Sequence, residues 1–464
     1  MTEANDNNDN IVKNGVHHFT SSDHYVEPTD PVILQQLEKF RDHKLGLMIH
    51  WAPGSQLGIY ESWCMSDDSA HWSKKDVDWT DDMNVFREQY KNMYKSFNPI
   101  RFQPDVWADV AASNGFKYLL FTTKHHDGFC MWDTQTTDYK ITNESCPYRS
   151  QAHADICRGL FDAFRSKGLA IHAYFSKPDW ASPYYWSPDF SKADGRTQRN
   201  VNYDVAEHPA LWEKFVKASH DQITELMTDY GKIDALWLDG GWVRPDNKGQ
   251  DIRIGEIVER IRSTTQPHLL AVDRTVGGAY ENIITPEQTI PEEPLSVPWE
   301  SCVTLGSRFS FSYEEEFKKP RDIVHLLIQV IAKGGNLALN IAPQPDGRLP
   351  AKGIQVLKEL GAFLEVNGEA VYGTRACSPY LTDSVAYTKK GNHIYVFYLY
   401  PNDEAEPLNH LEIPLASDVQ AVHLLGSDDP IRVDRRASDS IILHVPPRST
   451  GKAPYADVFR IELA

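Results

Sequence analysis

Between about Pro31 and residue 370 the chain alternates short apolar runs with longer stretches of helical spacing, and this alternation constrains the fold more than any other feature of its 464 residues. The runs are 45–50, 118–124, 169–175, 234–238, 269–273 and 336–342. A strand that is apolar along its whole length is one buried on both faces, as in a parallel sheet covered by helices. Between the runs, Ile254, Ile257, Val258 and Ile261 recur at i, i+3, i+4 and i+7, which places four apolar side chains on one helix face. Pro104-Asp105 opens another helix, and the last long one closes between Gly361 and Gly368. The fold expected is α/β: a TIM-like (β/α) barrel over residues 26–374, with six strands legible and an incomplete set of strands or helices allowed.

After about residue 375 the helical spacing ends. Strand-like runs such as His393 to Leu399 and Ile441 to Val445 take over, separated by turn-rich clusters such as Pro401-Asn402-Asp403. A small antiparallel β-sandwich is expected over 375–464. Residues 1–25, rich in Asn, Asp, Thr and Ser, are expected to form a poorly ordered tail.

A formal net charge of −18 opposes binding to a phosphate backbone, so nucleic acid is not an expected partner. No run reaches the roughly 20 apolar residues that span a bilayer, so membrane insertion is not expected. The N-terminus has no basic-then-apolar pattern; the compartment stays open between cytoplasm and, after loss of a signal peptide, periplasm or exterior. Six cysteines without paired short spacings indicate neither a disulfide scaffold nor a zinc ribbon. Asn143-Glu144-Ser145 fits a glycosylation triplet of a kind that recurs by chance.

The apolar runs end in polar, aromatic or titratable residues rather than in plain turns: His50-Trp51, His125-His126-Asp127-Gly128, Tyr174-Phe175-Ser176, Asp239-Gly240-Gly241-Trp242 and Asp273-Arg274. Active sites of β/α barrels lie at the C-terminal strand ends, so these groups are expected to converge. Any one of them alone is as well explained as a satisfied polar cap. Together they describe a pocket rich in Trp, Tyr, Phe and His, with carboxylates and without a phosphate-cradling loop. Such a pocket suits a sugar, whose apolar face lies on aromatic rings while His, Arg and Glu bond its hydroxyls.

Cleaving a glycosidic bond requires one carboxyl group held ionised and one held protonated. Asp239 suits the ionised role, although Asp-Gly alone would be read as a turn. His125-His126-Asp127 raises the question of a metal. Adjacent residues at a strand end point to opposite faces, which argues against two ligands in one shell, and no H-E-x-x-H helix accompanies them. Neither metal nor cofactor is expected.

Several stretches resemble the α-L-fucosidases of glycoside hydrolase family twenty-nine over about residues 40–375. Gly46 to Trp51 is similar to that family's first-strand motif, and Phe97-Asn98-Pro99 with Phe102 to Trp107 to its lead into the next helix. Thr122 to Phe129 is the most specific stretch. Leu236 to Trp242 resembles the nucleophile motif, and Gly334 to Ile341 the late strand. The resemblance implies a retaining exo-α-L-fucosidase without a cofactor that acts on fucosylated glycans through a covalent fucosyl-aspartate at Asp239, with transfer to sugar acceptors as a further capacity. It implies a fucose pocket lined by His50, Glu61, Trp63, His125, His126, Tyr174, Trp237 and Arg274, with Phe311 as candidate for the wall against the sugar's methyl group.

One departure stands out: family members commonly have Glu and Trp adjacent, whereas Ser62 separates Glu61 from Trp63 here. For the acid/base the resemblance favours Glu287, with Glu300 as runner-up, while Glu292 and Glu293 sit between prolines as solvated loop charges. The alternatives are a catalytically silent fucose-binding protein on the same barrel and a related glycosidase for another sugar. A homo-oligomer is left open.

Overall fold

A computed structural model describes residues 11–14, 17–66, 72–74, 77–190, 199–402, 408–437, 439–446 and 455–464. Seven parallel strands form the central sheet: β3 (Leu45–Ile49), β4 (Tyr118–Lys124), β5 (Ala170–Ser176), β6 (Ala235–Asp239), β7 (Leu270–Asp273), β8 (Glu300–Thr304) and β9 (Asn336–Asn340). Their order is β7-β6-β5-β4-β3-β9-β8, so strands late in the sequence return to pair beside the first. The gap between edge strands β7 and β8 is spanned by an irregular segment. Asn282 donates its N–H to the Ala271 carbonyl (2.8 Å), while Ile284 and Pro286 exchange backbone bonds with Pro298, Glu300 and Cys302. The result is a β/α barrel with one wall made of irregular chain.

Six of the seven strands coincide with the runs legible in the sequence. The seventh, β8, reads Glu-Ser-Cys-Val-Thr and has no apolar run to betray it. No helix connects β7 to β8, so the repeat is incomplete at that point.

Helices α1 (Pro31–His43), α2 (Met83–Lys91), α3 (Pro104–Ser113), α4 (Ile156–Ser166), α5 (Pro209–Asp229), α6 (Ile254–Thr264), α7 (Pro320–Ala332) and α8 (Ala351–Asn367) occur in the barrel sequence. Four of them, α1, α3, α5 and α7, start on proline, whose missing N–H costs nothing in a first turn. In α6 the stripe Ile254, Ile257, Val258 and Ile261 is buried as its spacing predicts.

Strand alternation sorts the barrel's interior from its helix-covered exterior. Met48, Tyr118, Leu120, Tyr174, Ala235, Trp237, Leu270, Val272, Cys302 and Ala338 form one cluster inside the barrel. Their neighbours Leu47, Leu119, Phe121, Ala173, Phe175, Leu236, Leu238 and Ala271 belong to the larger core shared with the helices.

Beyond the barrel, β10 (Arg375–Thr382), β11 (Val385–Lys390), β12 (His393–Leu399), β14 (Val419–Leu424) and β17 (Ala456–Leu463) form an antiparallel sheet in the order β10-β11-β12-β17-β14. A second sheet holds β13 (His410–Pro414), β16 (Ser440–His444) and β15 (Arg432–Ala437). Val396, Val422 and Ile461 face this second sheet, whereas Tyr395, Phe397 and Val458 join the barrel's core, and α7 packs on β10 and β11. The five-stranded sheet is thus covered on both faces.

Part of the N-terminal stretch expected to be a tail lies outside the described residues. Within the rest, β1 (Ile11–Asn14) pairs with β2 (His17–Thr20), Phe19 is buried, and the Thr20 hydroxyl donates to Glu281 (2.6 Å). All six cysteines are free. Among the described residues, no helix is long and apolar enough to cross a membrane.

Candidate active site

Alternation also decides which strand-end groups face inward. Trp237 and Asp239 share the inward parity of Ala235, Arg274 that of Val272, His50 that of Met48, Ser176 that of Tyr174 and Asn340 that of Ala338. At the C-terminal rim these side chains meet.

Asp239 ends β6. Gly240 follows at φ +87°, where an added Cβ would collide with Pro178, and this turn returns the Gly240 N–H to Asp239 Oδ1 (2.8 Å). Oδ1 also accepts from Arg274 Nη1 (3.0 Å), while Oδ2 accepts the Tyr174 hydroxyl (2.6 Å) and lies 3.7 Å from His126 Nε2. Burial alone would raise the Asp239 pKa. The Arg274 guanidinium, His126, the Tyr174 hydroxyl and the Gly240 amide outweigh it and hold the carboxyl far below the usual range. Asp239 is therefore ionised at neutral pH.

The histidines are neutral and fixed. Asn340 donates its Nδ2 to the Phe309 carbonyl (2.8 Å), so its Oδ1 accepts from His50 Nδ1 (2.8 Å) and leaves His50 Nε2 as an acceptor. Nδ1 of His125 bonds Ser62 Oγ (2.6 Å) and Nδ1 of His126 bonds Ser176 Oγ. Burial lowers His50 and His126 to about 4 and takes His125 well below its ordinary value. Tyr174 stacks between His125 (5.7 Å, 11°) and Trp237 (5.3 Å, 20°), and Arg274 lies 5.4 Å from the Trp237 ring centre. Neutral imidazoles, a phenol and indoles around one carboxylate form a pocket for hydroxyls and apolar ring faces.

His125 and His126 do not point apart, as strand alternation would have them do. The pairing register shifts between Thr122 and Lys124, and both histidines lie past the end of β4, so strand alternation no longer governs them. Their rings are 4.2 Å apart, and ligand atoms of His125, His126 and Asp239 all lie within 4.8 Å of one another. With Nδ1 of each histidine bonded to a serine, Nε2 is the atom each could offer a cation, but Arg274 already supplies positive charge at Asp239.

Ser62, the residue that interrupts the Glu-Trp pair, has a use. Its backbone takes φ +63°, uncommon for a residue with a side chain, and its hydroxyl bonds both His125 Nδ1 and the Asp127 N–H (3.2 Å). Tyr90 ties the same corner by accepting the Ser62 N–H (3.0 Å) and donating to Asp127 Oδ2 (2.7 Å). Trp63 meets the His126 ring edge-on at 5.6 Å.

Glu61 is buried, and neither carboxylate oxygen has a partner among the described residues. Burial, then the charge of Asp127, push its pKa well above the ordinary value, which favours the protonated acid. Replacing it by the neutral isostere should therefore cost little. Glu61→Gln is expected to keep kcat/KM within a few-fold, whereas Glu61→Ala should lose roughly ten- to a hundred-fold, the scale of one lost buried hydrogen bond. Steady-state kinetics on one activated aryl glycoside check this, and an equal loss in both variants would show that the carboxyl works as an anion.

The two acid candidates separate clearly. Glu287 lies on the irregular segment that closes the barrel, one-quarter exposed, and its Oε2 pairs with Arg274 Nη2. One guanidinium thus bridges Asp239 and Glu287. Glu300, in contrast, opens β8 and is fully buried beneath the pocket floor. Its Oε2 accepts the Tyr118 hydroxyl and its Oε1 accepts Trp237 Nε1 (3.1 Å). Burial, set against those two bonds, raises Glu300 to about 7.

Phe311 packs on Tyr313 at 5.0 Å, whereas the ring against His50, at 4.9 Å, is Phe309. Tyr90 and Asn340 have no role in the sequence expectations, and Ser62 and Ser176 appear there without this role; Ser62, Ser176 and Asn340 bond the histidines, and Tyr90 holds Ser62. Asn340 and Ser176 carried a signal, since both end strands with inward parity. A buried pair, Lys177 to Asp273 (2.6 Å), further ties the end of β5 to that of β7 on either side of Asp239.

An ionised carboxylate in an aromatic, imidazole-lined pocket on a β/α rim, with a second carboxyl one guanidinium away, defines the class: a glycoside hydrolase. A family profile described as Alpha-L-fucosidase matches residues 14–369, and the chain belongs to that family. It is 25% identical over 448 residues to tissue alpha-L-fucosidase of Homo sapiens, covering 91% of this chain and 88% of that one. To plasma alpha-L-fucosidase of Rattus norvegicus it is 26% identical over 435 residues, with 89% and 88% covered.

Alpha-L-fucosidase isoenzyme 1 from Paenibacillus thiaminolyticus superposes with a TM-score of 0.75 at 26% identity, covering 93% of this chain and 100% of that one. A family twenty-nine alpha-L-fucosidase from Bacteroides thetaiotaomicron, trapped as a covalent intermediate with 2-fluoro-fucosyl fluoride, shares the fold at TM-score 0.74 and 23% identity, with 94% and 97% covered. The barrel followed by a β-sandwich is common to these structures.

Proposed function

We propose that the chain hydrolyses terminal α-L-fucose from glycans with net retention, Asp239 attacking the anomeric carbon and Glu287 serving as acid/base. The observation that carries this is the Asp239–Arg274–Glu287 bridge at the rim of the barrel. A single guanidinium spanning both carboxylates fits the short separation, about 5–5.5 Å, that direct attack needs; an inverting pair stands roughly 6.5–9.5 Å apart to admit water.

In the first step Asp239 displaces the aglycone and forms a fucosyl ester, while Glu287 gives its proton to the departing oxygen. In the second, Glu287 takes a proton from water, which attacks the same carbon and releases Asp239. Glu287 Oε2 is engaged by Arg274, so entry of the sugar must loosen that pair before the carboxyl reaches the leaving oxygen.

His50, His125 and His126 present imidazole nitrogens to the sugar's hydroxyls, Trp237 and Tyr174 an apolar face, and Phe309 beside His50 the wall for its methyl group. A methyl on an apolar wall discriminates by about 1–3 kcal/mol, enough for preference among related sugars. Proton NMR of an aryl α-L-fucoside digest tests the whole reading. The first fucose released should be the α-anomer; release of the β-anomer, or no release while fucose still binds, would overturn it.

A further inference from the structure

Outside the fucose pocket stands a set of tryptophans that the reaction does not use. Trp180 lies parallel to Trp186 (5.5 Å, 8°) and to Trp242 (6.5 Å, 17°). Their indole N–H groups converge on one short piece of backbone. Trp180 and Trp242 donate to the Arg199 carbonyl (3.3 and 3.1 Å), joined there by the Tyr185 hydroxyl (2.8 Å), and Trp186 donates to the Asn200 carbonyl (2.8 Å). Four donors on two carbonyls fix the position from which the Arg199 side chain departs.

That side chain lies over aromatic faces at the mouth of the pocket. Its guanidinium carbon is 5.0 Å from the centre of Trp242 and 5.8 Å from that of Trp63. Both rings also abut His126, at 5.1 and 5.6 Å, and His126 Nε2 lies 3.7 Å from Asp239 Oδ2. One ring therefore separates Arg199 from the group beside the nucleophile. Its charge reaches that far, being among the influences that lower His126. Arg199 is exposed, and among the described residues no carboxylate pairs with it, in a chain whose net charge is −18. A guanidinium held by cation–π contact, with no carboxylate partner among the described residues, is poised for an anion brought by a ligand.

We propose that Trp242 and Arg199 form the subsite for the sugar next to fucose, and that Arg199 selects glycans carrying an anionic group, a carboxylate or a sulfate ester, on that part of the chain. The inference rests on the reading of the pocket as a fucose site. The indole faces receive the aglycone ring, and the guanidinium receives its anion in a charge-assisted hydrogen bond.

The test compares three fucosylated oligosaccharides of one core: neutral, sialylated and sulfated. The ratio of kcat/KM, acidic over neutral, is expected to be roughly ten, carried mainly by KM and shrinking as salt is raised from 50 to 500 mM. Arg199→Gln should bring the ratio to about one, and Arg199→Lys should restore part of it by keeping the charge. A preference seen only for the sialylated or only for the sulfated substrate names the anion. A wild-type ratio near one, or a ratio unchanged by Arg199→Gln, overturns the proposal. The same ratio read as dissociation constants on Asp239→Asn needs no turnover. An acidic preference there, in a protein that cleaves no fucoside, would overturn the function and leave this subsite standing.

Discussion

Asp239→Ala should lower kcat for an aryl α-L-fucoside by about four orders of magnitude or more, the scale of losing a nucleophile that acts as part of a unit. The expectation follows from what surrounds the carboxylate. Arg274, Tyr174, His126 and the Gly240 amide are all spent on keeping it charged and aimed, and among the described residues no second carboxylate is placed to substitute for it. The fold should tolerate the change, because Arg274 keeps Glu287 as a partner. Azide is expected to restore part of the activity by occupying the space the carboxylate leaves and attacking the substrate directly. A single displacement inverts, so the product is the β-fucosyl azide. Turnover within tenfold of wild type, in a variant with an unchanged melting temperature, would remove Asp239 from the role.

Much of this arrangement is legible in the sequence. Strands buried on both faces announce themselves as apolar runs, and inward parity carries His50, Tyr174, Trp237, Asp239 and Arg274 to one rim once the runs are placed. What escaped had physical reasons. Strand β8 pairs through a backbone that any sequence can supply, and its side chains are mostly polar because they serve the interior: Glu300 holds Trp237 and Tyr118. The histidine pair departs from strand alternation because a register shift in β4 breaks it. Ser62 looked like an insertion that weakened a motif, yet its hydroxyl fixes His125, a contact across 63 residues that no local pattern encodes. Arg199 lies next to a tryptophan only in space.

Choosing between the acid candidates turns on the same distinction between strand interior and open wall. The aglycone leaves through the mouth of the pocket, so its oxygen must be reached from a group at the rim. Glu287 stands there because the chain between β7 and β8 runs as an irregular wall rather than a helix, leaving its carboxyl partly exposed beside Arg274. Glu300 is raised to about 7, a value that would suit a general acid, but both its oxygens are engaged below the floor and none is open to substrate.

Position should therefore outweigh pKa. Glu287→Ala is expected to cost about 10²–10⁴-fold on a fucosylated disaccharide, whose leaving group needs a proton, and far less on a 2,4-dinitrophenyl fucoside, whose leaving group does not. With the latter substrate the fucosyl-enzyme should accumulate, and azide should release it as the α-fucosyl azide, since two displacements restore the original configuration. Glu300→Ala should instead reduce both substrates alike and lower the melting temperature, because it frees Trp237 from its anchor and leaves two buried donors unpaired. A leaving-group-dependent loss in Glu300→Ala, with none in Glu287→Ala, would exchange the two assignments and require the pocket floor to open during the reaction.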